Sequence, residues 1–180
     1  ESRAYDMRSD FDYRWRMAVA PEYFSFSSDE HDAGVGGRVY WQQKAASALL
    51  GVDFSNNDLQ AAQGQLWMPP ALPQPPYEVI EHGARRVWAF YGQWQDAISD
   101  QLSYILGLRN DRYSDVNGYT SPRLGLIWQP QFDNAFKLLY GESFRAPARN
   151  ELGVINNPLQ QGNPDLNPEV AKTIETVWVH

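Results

Sequence analysis

The chain has 180 residues, of which 21% are charged and 14% aromatic, a net charge of −7 and no cysteine. The acidic balance excludes nucleic acid as a partner, because phosphates select a basic face, and the lack of cysteine excludes disulfides and thiolate metal sites. No stretch approaches the roughly 18 apolar residues that a membrane-spanning helix needs, so a helical membrane protein is excluded too.

The segment from Tyr5 to Met17 alternates with a period of two residues. Its rings and methionines occupy odd positions, and its aspartates and arginines occupy even positions. A helix would scatter both sets around its circumference, whereas a strand places them on opposite faces. A globular strand usually has about 5 or 6 residues, and one that crosses a bilayer at a tilt needs about 9 to 11. The segment is therefore predicted to be a membrane-spanning strand whose apolar face contacts lipid.

Seven further segments have similar lengths, and the alternation is legible in several of them. They are Gly34–Gln43, Ala48–Ser55, Arg85–Asp96, Gln101–Tyr113, Ser121–Gln131, Ala135–Phe144 and Ala171–Val179. With the first segment they predict eight strands, each with its apolar face toward lipid and its polar face toward a hydrated lumen. The many rings of an otherwise polar chain fit this prediction, because rings collect at both membrane interfaces of a barrel.

The connections between these segments alternate in length. Short turns are predicted at Lys44–Ser47, Ala97–Asp100 and Pro130–Asn134, and long loops at Ala18–Ala33, Asn56–Ala84 and Arg145–Val170, with Ser114–Thr120 intermediate. Short turns on one side and long loops on the other are typical of an outer-membrane barrel. The predicted fold is all-β, an antiparallel up-and-down transmembrane β-barrel to which this chain contributes about eight strands.

Two of the long connections have distinctive compositions. The proline-rich run Met68–Pro76 cannot donate a sheet ladder and is predicted to be a stiff external loop rather than a docking ligand. The run Asn156–Pro168 is dense in turn-forming residues, which predicts an ordered loop rather than a tether.

A succession of motifs occupies the second half of the chain. The motifs are SPRLGL at Ser121–Leu126, YGESFRAP at Tyr140–Pro147, NEL at Asn150–Leu152 and GNPDLNPE at Gly162–Glu169, with Glu175 following. In this order and spacing they resemble the TonB-dependent outer-membrane receptors, which import siderophores, cobalamin, haem and similar scarce nutrients. Trp88–Trp94 and Gly107–Tyr113 resemble the two preceding barrel strands of that family.

The resemblance implies a larger protein than the chain itself. Family members have roughly 22 strands, a plug in the lumen and a box that contacts TonB. Residues 1–180 are therefore expected to be an internal part of one barrel domain, without the plug and the terminal strands. The implied function is nutrient binding and TonB-energised import at the bacterial outer membrane. The implied partners are outer-membrane lipid, a metal chelate or other small nutrient, and the TonB complex through parts of the receptor outside this chain.

Catalytic and metal-binding patterns are weak in the sequence. It contains neither a phosphate-cradling glycine loop nor a nucleophile elbow, so no enzymatic centre and no cofactor are expected. His31, His82 and His180 do not share a spacing that would place two metal ligands on one face. His31 in the acidic run Asp29–Asp32 is interpreted as part of a solvated loop.

Six residues are candidate ligand contacts on chemical grounds. Rings offer flat surfaces and arginines offer charge to an anionic chelate. The candidates are Trp67, Tyr77, Arg85, Arg86, Tyr119 and Arg145. For Arg145 the favoured interpretation is a hydrogen-bond donor that holds the barrel rim.

The alternative from another functional class is a soluble eight-stranded β-barrel that binds a small ligand. Its apolar faces would point inward and its charged faces toward water. The alternation alone fits both proteins, and the succession of motifs favours the receptor.

Overall fold

A computed structural model describes residues 1–16, 23–67, 72–157 and 160–180. Three predicted regions lie partly outside these ranges. The residues concerned are 17–22 at the end of the first segment and the start of the next loop, 68–71 of the proline-rich run, and 158–159 of the run Asn156–Pro168. The strands are β1 Ser2–Arg16, β2 Tyr23–Gln43, β3 Ala46–Trp67, β4 Tyr77–Glu78, β5 Gly83–Ser99, β6 Leu102–Tyr113, β7 Tyr119–Gln131, β8 Asn134–Arg145 and β9 Glu169–Val179. One short helix, α1, spans Arg149–Gly153.

The described strands form one antiparallel sheet in the order β1-β2-β3-β5-β6-β7-β8-β9, with β4 added to β3. Apart from the two-residue β4, each strand pairs with the next strand in sequence, which confirms the predicted up-and-down topology. β1 and β9 are the two edges of this sheet, so it stays open. The soluble alternative is wrong on this point, because it needs eight strands that close around a ligand.

Short and long connections lie at opposite ends of the strands, as predicted. Tight turns at 44–45, 100–101 and 132–133 join strands at one end. The connections 114–118 and 146–168 lie at the other end, which we call the rim.

Apolar side chains cover one face of the sheet, which we call the outer face. A single register row carries paired outer-face residues across seven strands: Trp41, Ala48, Trp94, Leu106, Leu124, Tyr140 and Ile174. The Trp94, Leu106, Leu124 and Ile174 side chains of this row are all exposed. The predicted exposure of the apolar parity is therefore confirmed for β5 to β8, whereas β9, an edge strand, is exposed on both faces. Among the described residues, no helix is both long and apolar enough to cross a membrane.

Polar and small residues cover the opposite, inner face. The register row through Arg3, Gly36, Asp53, Ala89, Asp111 and Tyr119 lies on it. Ala89 is 2% exposed and Asp111 is 7% exposed. The more enclosed face of the wall is thus the one that carries ionised groups.

The strands β2 and β3 are much longer than the sequence predicted. The predicted loop Ala18–Ala33 is a strand from Tyr23 onward, and the predicted loop from Asn56 is a strand as far as Trp67. Serine, asparagine and acidic residues in these stretches are typical of loops, but a continuous ladder pairs them, with one irregularity at Asp29/Glu30. Cross-strand hydrogen bonds outweigh weak strand propensity here. The β2–β3 pair consequently projects well beyond the rim.

The predicted orientation of the first segment is wrong. Tyr5 pairs with Gly34, and Gly34 pairs with Ser55, which places the odd-numbered residues of β1 on the inner face. From Met7 onward β1 pairs with the projecting part of β2 rather than with the wall. The charged, even-numbered residues of this part of β1 therefore lie on the outer face beyond the rim.

A small apolar core lies inside the projecting pair. Leu59 and Ala62 of β3 are buried together with Val79 and Val154 from two loops. Val79 donates a backbone hydrogen bond to Ala62 O at 2.9 Å. These contacts bring the loops over the inner face at the rim.

Candidate functional site

Two loops from distant strands meet above the inner face and form what we call the loop bridge, residues 77–82, 149–157 and 160–163. Ile80 and Val154 form an antiparallel β-bridge. Ile155 N donates to Val79 O at 2.7 Å, and Glu81 N donates to Gly153 O at 3.0 Å. The bridge therefore links the segment between β3 and β5 to the β8–β9 connection.

Arg145 holds both ends of the β8–β9 connection. Its guanidinium donates to both carboxylate oxygens of Glu151 in α1 at 3.0 Å, and it donates to Glu169 at the start of β9 at 3.0 and 3.1 Å. Glu151 also accepts from Ala148 N at 2.7 Å. The hydrogen bond from Arg145 lowers the pKa of the Glu151 carboxyl most, and the hydrogen bond from Ala148 N lowers it further. The contacts are those of a residue that holds the rim.

Gly162 binds the second half of the β8–β9 connection to the first half. Its N–H donates to Val154 O at 2.8 Å, and the neighbouring Asn163 N donates to Glu151 O at 2.8 Å. A Cβ at position 162 would lie 2.5 Å from both Leu152 O and Val154 N. Backbone approaches the glycine too closely for any side chain, which explains part of the Gly162–Glu169 motif.

Arg85 and Arg149 converge beneath the loop bridge. Arg85 donates to Asp115 Oδ2 at 2.7 Å and to Pro147 O at 2.9 Å. Arg149 donates to Asn57 O at 2.7 Å. Asn57 is the register partner of Arg85, so Arg149 reaches the wall next to the backbone of Arg85. This junction joins β5 to the β8–β9 connection.

An aromatic cluster continues from Arg85 along the rim. The guanidinium lies 5.8 Å from the ring centroid of Tyr113. Tyr113 meets Phe144 edge-on at 5.6 Å, and Phe144 stacks on Tyr119 at 5.5 Å. The Tyr119 hydroxyl donates to Glu142. The structure therefore brings two of the predicted candidates, Arg85 and Tyr119, into one cluster.

An ionic network lines the inner face below that cluster. Arg109 donates to both oxygens of Asp111 at 2.8 to 3.0 Å, and its guanidinium lies 5.4 Å from the ring centroid of Tyr91. Asp53 is 3.9 Å from Arg109 and 3.2 Å from Arg3. A groove of about 450 Å³ runs past Tyr91, Arg109, Asp111 and Arg123. Such a wall offers both hydrogen-bond donors and hydrogen-bond acceptors to a polar solute.

The other predicted candidates lie apart from these groups. Arg86 follows Arg85 and therefore points to the outer face, and its backbone N–H donates to Ser114 Oγ at 3.0 Å. Trp67 ends β3 on the outer face opposite Tyr23, and Tyr77 pairs with Gly64 near the end of the projecting pair. Ligand contact by any of the six candidates stays a prediction.

Sequence reasoning missed several residues of the site. Arg149, Tyr113 and Phe144 were not selected, because their importance comes from tertiary contacts between β5, β6 and the β8–β9 connection. The motif that contains Phe144 and ends at Pro147 was the available signal, since Arg149 follows it closely. Asp53 and Arg109 occupy the polar positions of their strands. The alternation therefore predicts which face they share, but not that they contact each other.

No metal centre is formed by the described residues, which contain no group of three or more potential ligands. His31 Nε2 lies 2.6 Å from Asp6 Oδ1, and His82 Nδ1 lies 2.7 Å from Glu78 Oε1. Each histidine contacts a single carboxylate. The hydrogen bond to Glu78, followed by its charge, raises the pKa of His82.

Two solved structures have an architecture similar to that of this chain. A mutant of the ferric enterobactin receptor PfeA from Pseudomonas aeruginosa is similar with a TM-score of 0.65 at 13% identity, over 98% of this chain and 32% of that one. The siderophore receptor PirA from Pseudomonas aeruginosa is similar with a TM-score of 0.59 at 17% identity, over 98% of this chain and 36% of that one. The chain thus spans about a third of the length of these structures, and the likeness shows the fold. No curated protein matches the chain.

The family comparison covers nearly every residue. The family described as TonB dependent receptor-like, beta-barrel, matches residues 2–179. Its members, like the two solved structures, are receptors rather than enzymes. The chain belongs to the TonB-dependent receptor-like β-barrel family.

Proposed function

We propose that this chain forms part of the wall and part of the mouth of a bacterial outer-membrane receptor. The receptor binds a scarce nutrient outside the cell and imports it with TonB-coupled energy. One observation carries the proposal: in a chain of this family, two loops close over an ionic inner face while the outer face stays apolar. A nutrient would bind at the mouth and pass along the hydrated side of the wall.

The outer face supports the placement in a membrane. Rings at both heights of the wall, such as Trp88 and Trp128, are about half exposed, at 47% and 48%. Leu124, Leu126 and Leu138 lie on the same face and are exposed between them. Exposed apolar surface this continuous requires a nonaqueous partner, and hydrocarbon flanked by rings is the pattern of outer-membrane barrels.

The mouth supports a small anionic nutrient as substrate. Arg85, Tyr119 and the rings between them combine charge with flat surfaces, which suits a metal chelate or a haem. The two similar solved structures are a ferric enterobactin receptor and a siderophore receptor, so an iron–siderophore is placed first, ahead of haem and cobalamin. Tyr77 begins the short β4 and Arg145 ends β8, both next to the loops of this mouth. Trp67 and Arg86 are the weaker candidates because they lie on the outer face.

The energy-coupling step belongs to other parts of the receptor. We place the plug and the TonB contact of the family outside residues 1–180. What the wall contributes is a rigid frame: each strand is hydrogen-bonded to its neighbours, so the loops at the rim are the parts free to respond to ligand.

The test uses the full-length gene product, purified in detergent. Binding of ferric siderophores, haem and cobalamin is measured by titration, and uptake of the bound nutrient is compared in cells with and without TonB. The proposal expects saturable binding of one nutrient class and uptake only with TonB. Binding of none of them, or uptake independent of TonB, would refute it.

A further inference from the structure

Two arginines lie next to each other where the outer face approaches the rim. Arg112 of β6 is the register partner of Trp88 on β5. Arg86 precedes Trp88 by two residues, so it shares the face of that ring. The Arg86 N–H donates to Ser114 Oγ and the Ser114 N–H donates to Arg86 O, both at 3.0 Å. Arg86 and Arg112 are therefore diagonal neighbours on adjacent strands, about 7 to 8 Å apart and within reach of each other's long side chains.

Neither guanidinium is neutralised in the described part of the chain. Both side chains are exposed, and neither forms an ion pair with a carboxylate there. The Arg112 Nε donates to Asn110 Oδ1 at 3.2 Å, which turns the terminal nitrogens of this guanidinium toward solvent. By contrast, Arg109 on the inner face binds Asp111 at 2.8 Å. Two adjacent, unneutralised cations in a chain of net charge −7 favour an anion from outside the described residues.

The rings beside the two arginines mark the level of a membrane interface. Trp88 is 47% exposed, stacks on Phe90 at 6.4 Å and contacts Phe54 at 4.5 Å. Leu108 and Leu106 continue the same face toward the middle of the wall, and both are about half exposed. Tryptophan rings collect where hydrocarbon meets the lipid headgroups, and arginine side chains extend their charged ends into the headgroup layer. The two guanidinium groups consequently lie at the level of the headgroups.

We infer that Arg86 and Arg112 bind the phosphate group of a lipid in the outer leaflet, whose acyl chains lie along the apolar outer face. The inference rests on the proposed function, because that function places the outer face in a membrane. A phosphate offers several anionic oxygens, so each guanidinium can donate two parallel hydrogen bonds to it. The occupant is a lipid rather than free phosphate, because the two arginines border directly on the apolar surface that would hold the acyl chains.

The experiment measures lipid binding to the full-length receptor in detergent by native mass spectrometry. The probes are phosphatidic acid, which presents a phosphate monoester, and diacylglycerol, which is the same lipid without the phosphate. Inorganic phosphate serves as a competitor. The variants are Arg86→Gln, Arg112→Gln, their combination, and a double variant with Arg86→Lys and Arg112→Lys. The matched control is Lys137→Gln, which removes one positive charge from the inner face of β8, where Ile127 is the register partner.

The inference expects wild type to bind phosphatidic acid more tightly than diacylglycerol. Each single glutamine variant should weaken the binding of phosphatidic acid roughly fivefold, and the double glutamine variant roughly twenty- to thirtyfold, because one cation at an anionic lipid surface contributes about that factor. The double lysine variant should keep part of the affinity, since an ammonium still binds phosphate as a point charge. Lys137→Gln should bind both lipids as wild type does, and inorganic phosphate should not displace phosphatidic acid.

Three results overturn the inference while the proposed function stands. The first is a wild type that binds the two lipids equally, and the second is a double glutamine variant that binds phosphatidic acid as tightly as wild type. The third is displacement of the lipid by inorganic phosphate, which would make this a site for the free anion. If the glutamine variants fold poorly, the comparison of the two lipids on wild type and on the double lysine variant decides the question. Nutrient binding is titrated in the same wild-type preparation, and its absence would overturn the proposed function instead.

Discussion

Ile80 and Val154 face each other as an antiparallel pair, although one precedes β5 and the other follows α1. Antiparallel partners have Cα atoms about 4.5 to 5.5 Å apart, which is within the range that a disulfide spans. An Ile80→Cys, Val154→Cys double variant should therefore form a crosslink under mild oxidation. The chain has no native cysteine, so a shift in gel mobility reports it directly. Each single-cysteine variant serves as control, and a double variant that stays reduced would contradict the loop bridge.

Gly162 should be the most sensitive position of the β8–β9 connection. Gly162→Ala places a Cβ 2.5 Å from backbone atoms that cannot move independently, so the connection should detach from Val154 and Glu151. Limited proteolysis should then cut within 146–168 several times faster than in wild type. Gly141→Ala is the matched control, since a Cβ there meets nothing within 4 Å. Equal cleavage of both variants would show that the close approach at Gly162 does not hold the connection.

Gly51 should be needed for the position of the Tyr91 ring. A Cβ at Gly51 would lie 2.2 Å from Tyr91 Cζ, so Gly51→Val must push the ring off the strand and away from Arg109. Overpacking of this kind costs about 1 to 3 kcal/mol. Denaturant unfolding of the full-length receptor should show the loss, and Gly37→Ala, which meets nothing within 4 Å, should not. An unchanged midpoint for Gly51→Val would mean that the ring can lie elsewhere at no cost.

His82 should titrate above its ordinary pKa of about 6.5 because of Glu78. The pKa of His82 is raised, so its contribution to stability is complete below about pH 6.5 and is lost as the pH rises through the folded value. The pKa of Glu78 is lowered, so its contribution is lost as the pH falls through its folded value. The segment 78–82 should thus be best ordered between these two limits. Histidine NMR should place the His82 pKa lower in Glu78→Gln than in wild type, and the same value in both proteins would rule out this pairing.

The strands of the wall could be predicted from local pattern alone. Gln101–Tyr113 was predicted where β6 spans Leu102–Tyr113, and Ala135–Phe144 where β8 spans Asn134–Arg145. In these segments the two faces meet different solvents, so the sequence must alternate and the alternation marks the strand. The projecting part of β2 and β3 lacks that constraint, and its polar residues concealed the strand.

Register and loop contacts could not be predicted in the same way. The orientation of β1 depends on the pairing of Tyr5 with Gly34, which no local pattern in β1 specifies. The same distinction applies to the candidate site. Arg85 and Tyr119 could be predicted from residue chemistry and position. Arg149 and Phe144 could not, because their contacts depend on how the β8–β9 connection packs at the rim.

The central claim is that the outer face of β5 to β9 contacts lipid and the inner face contacts water. Spin labels at Leu126→Cys on the outer face and Arg123→Cys on the inner face of β7 test it most directly, in full-length receptor reconstituted into bilayers. The account predicts that the label at 126 is relaxed by oxygen and shielded from a water-soluble nickel chelate, while the label at 123 shows a lower ratio of oxygen to nickel accessibility. Equal ratios at the two positions, or the reverse order, would contradict it.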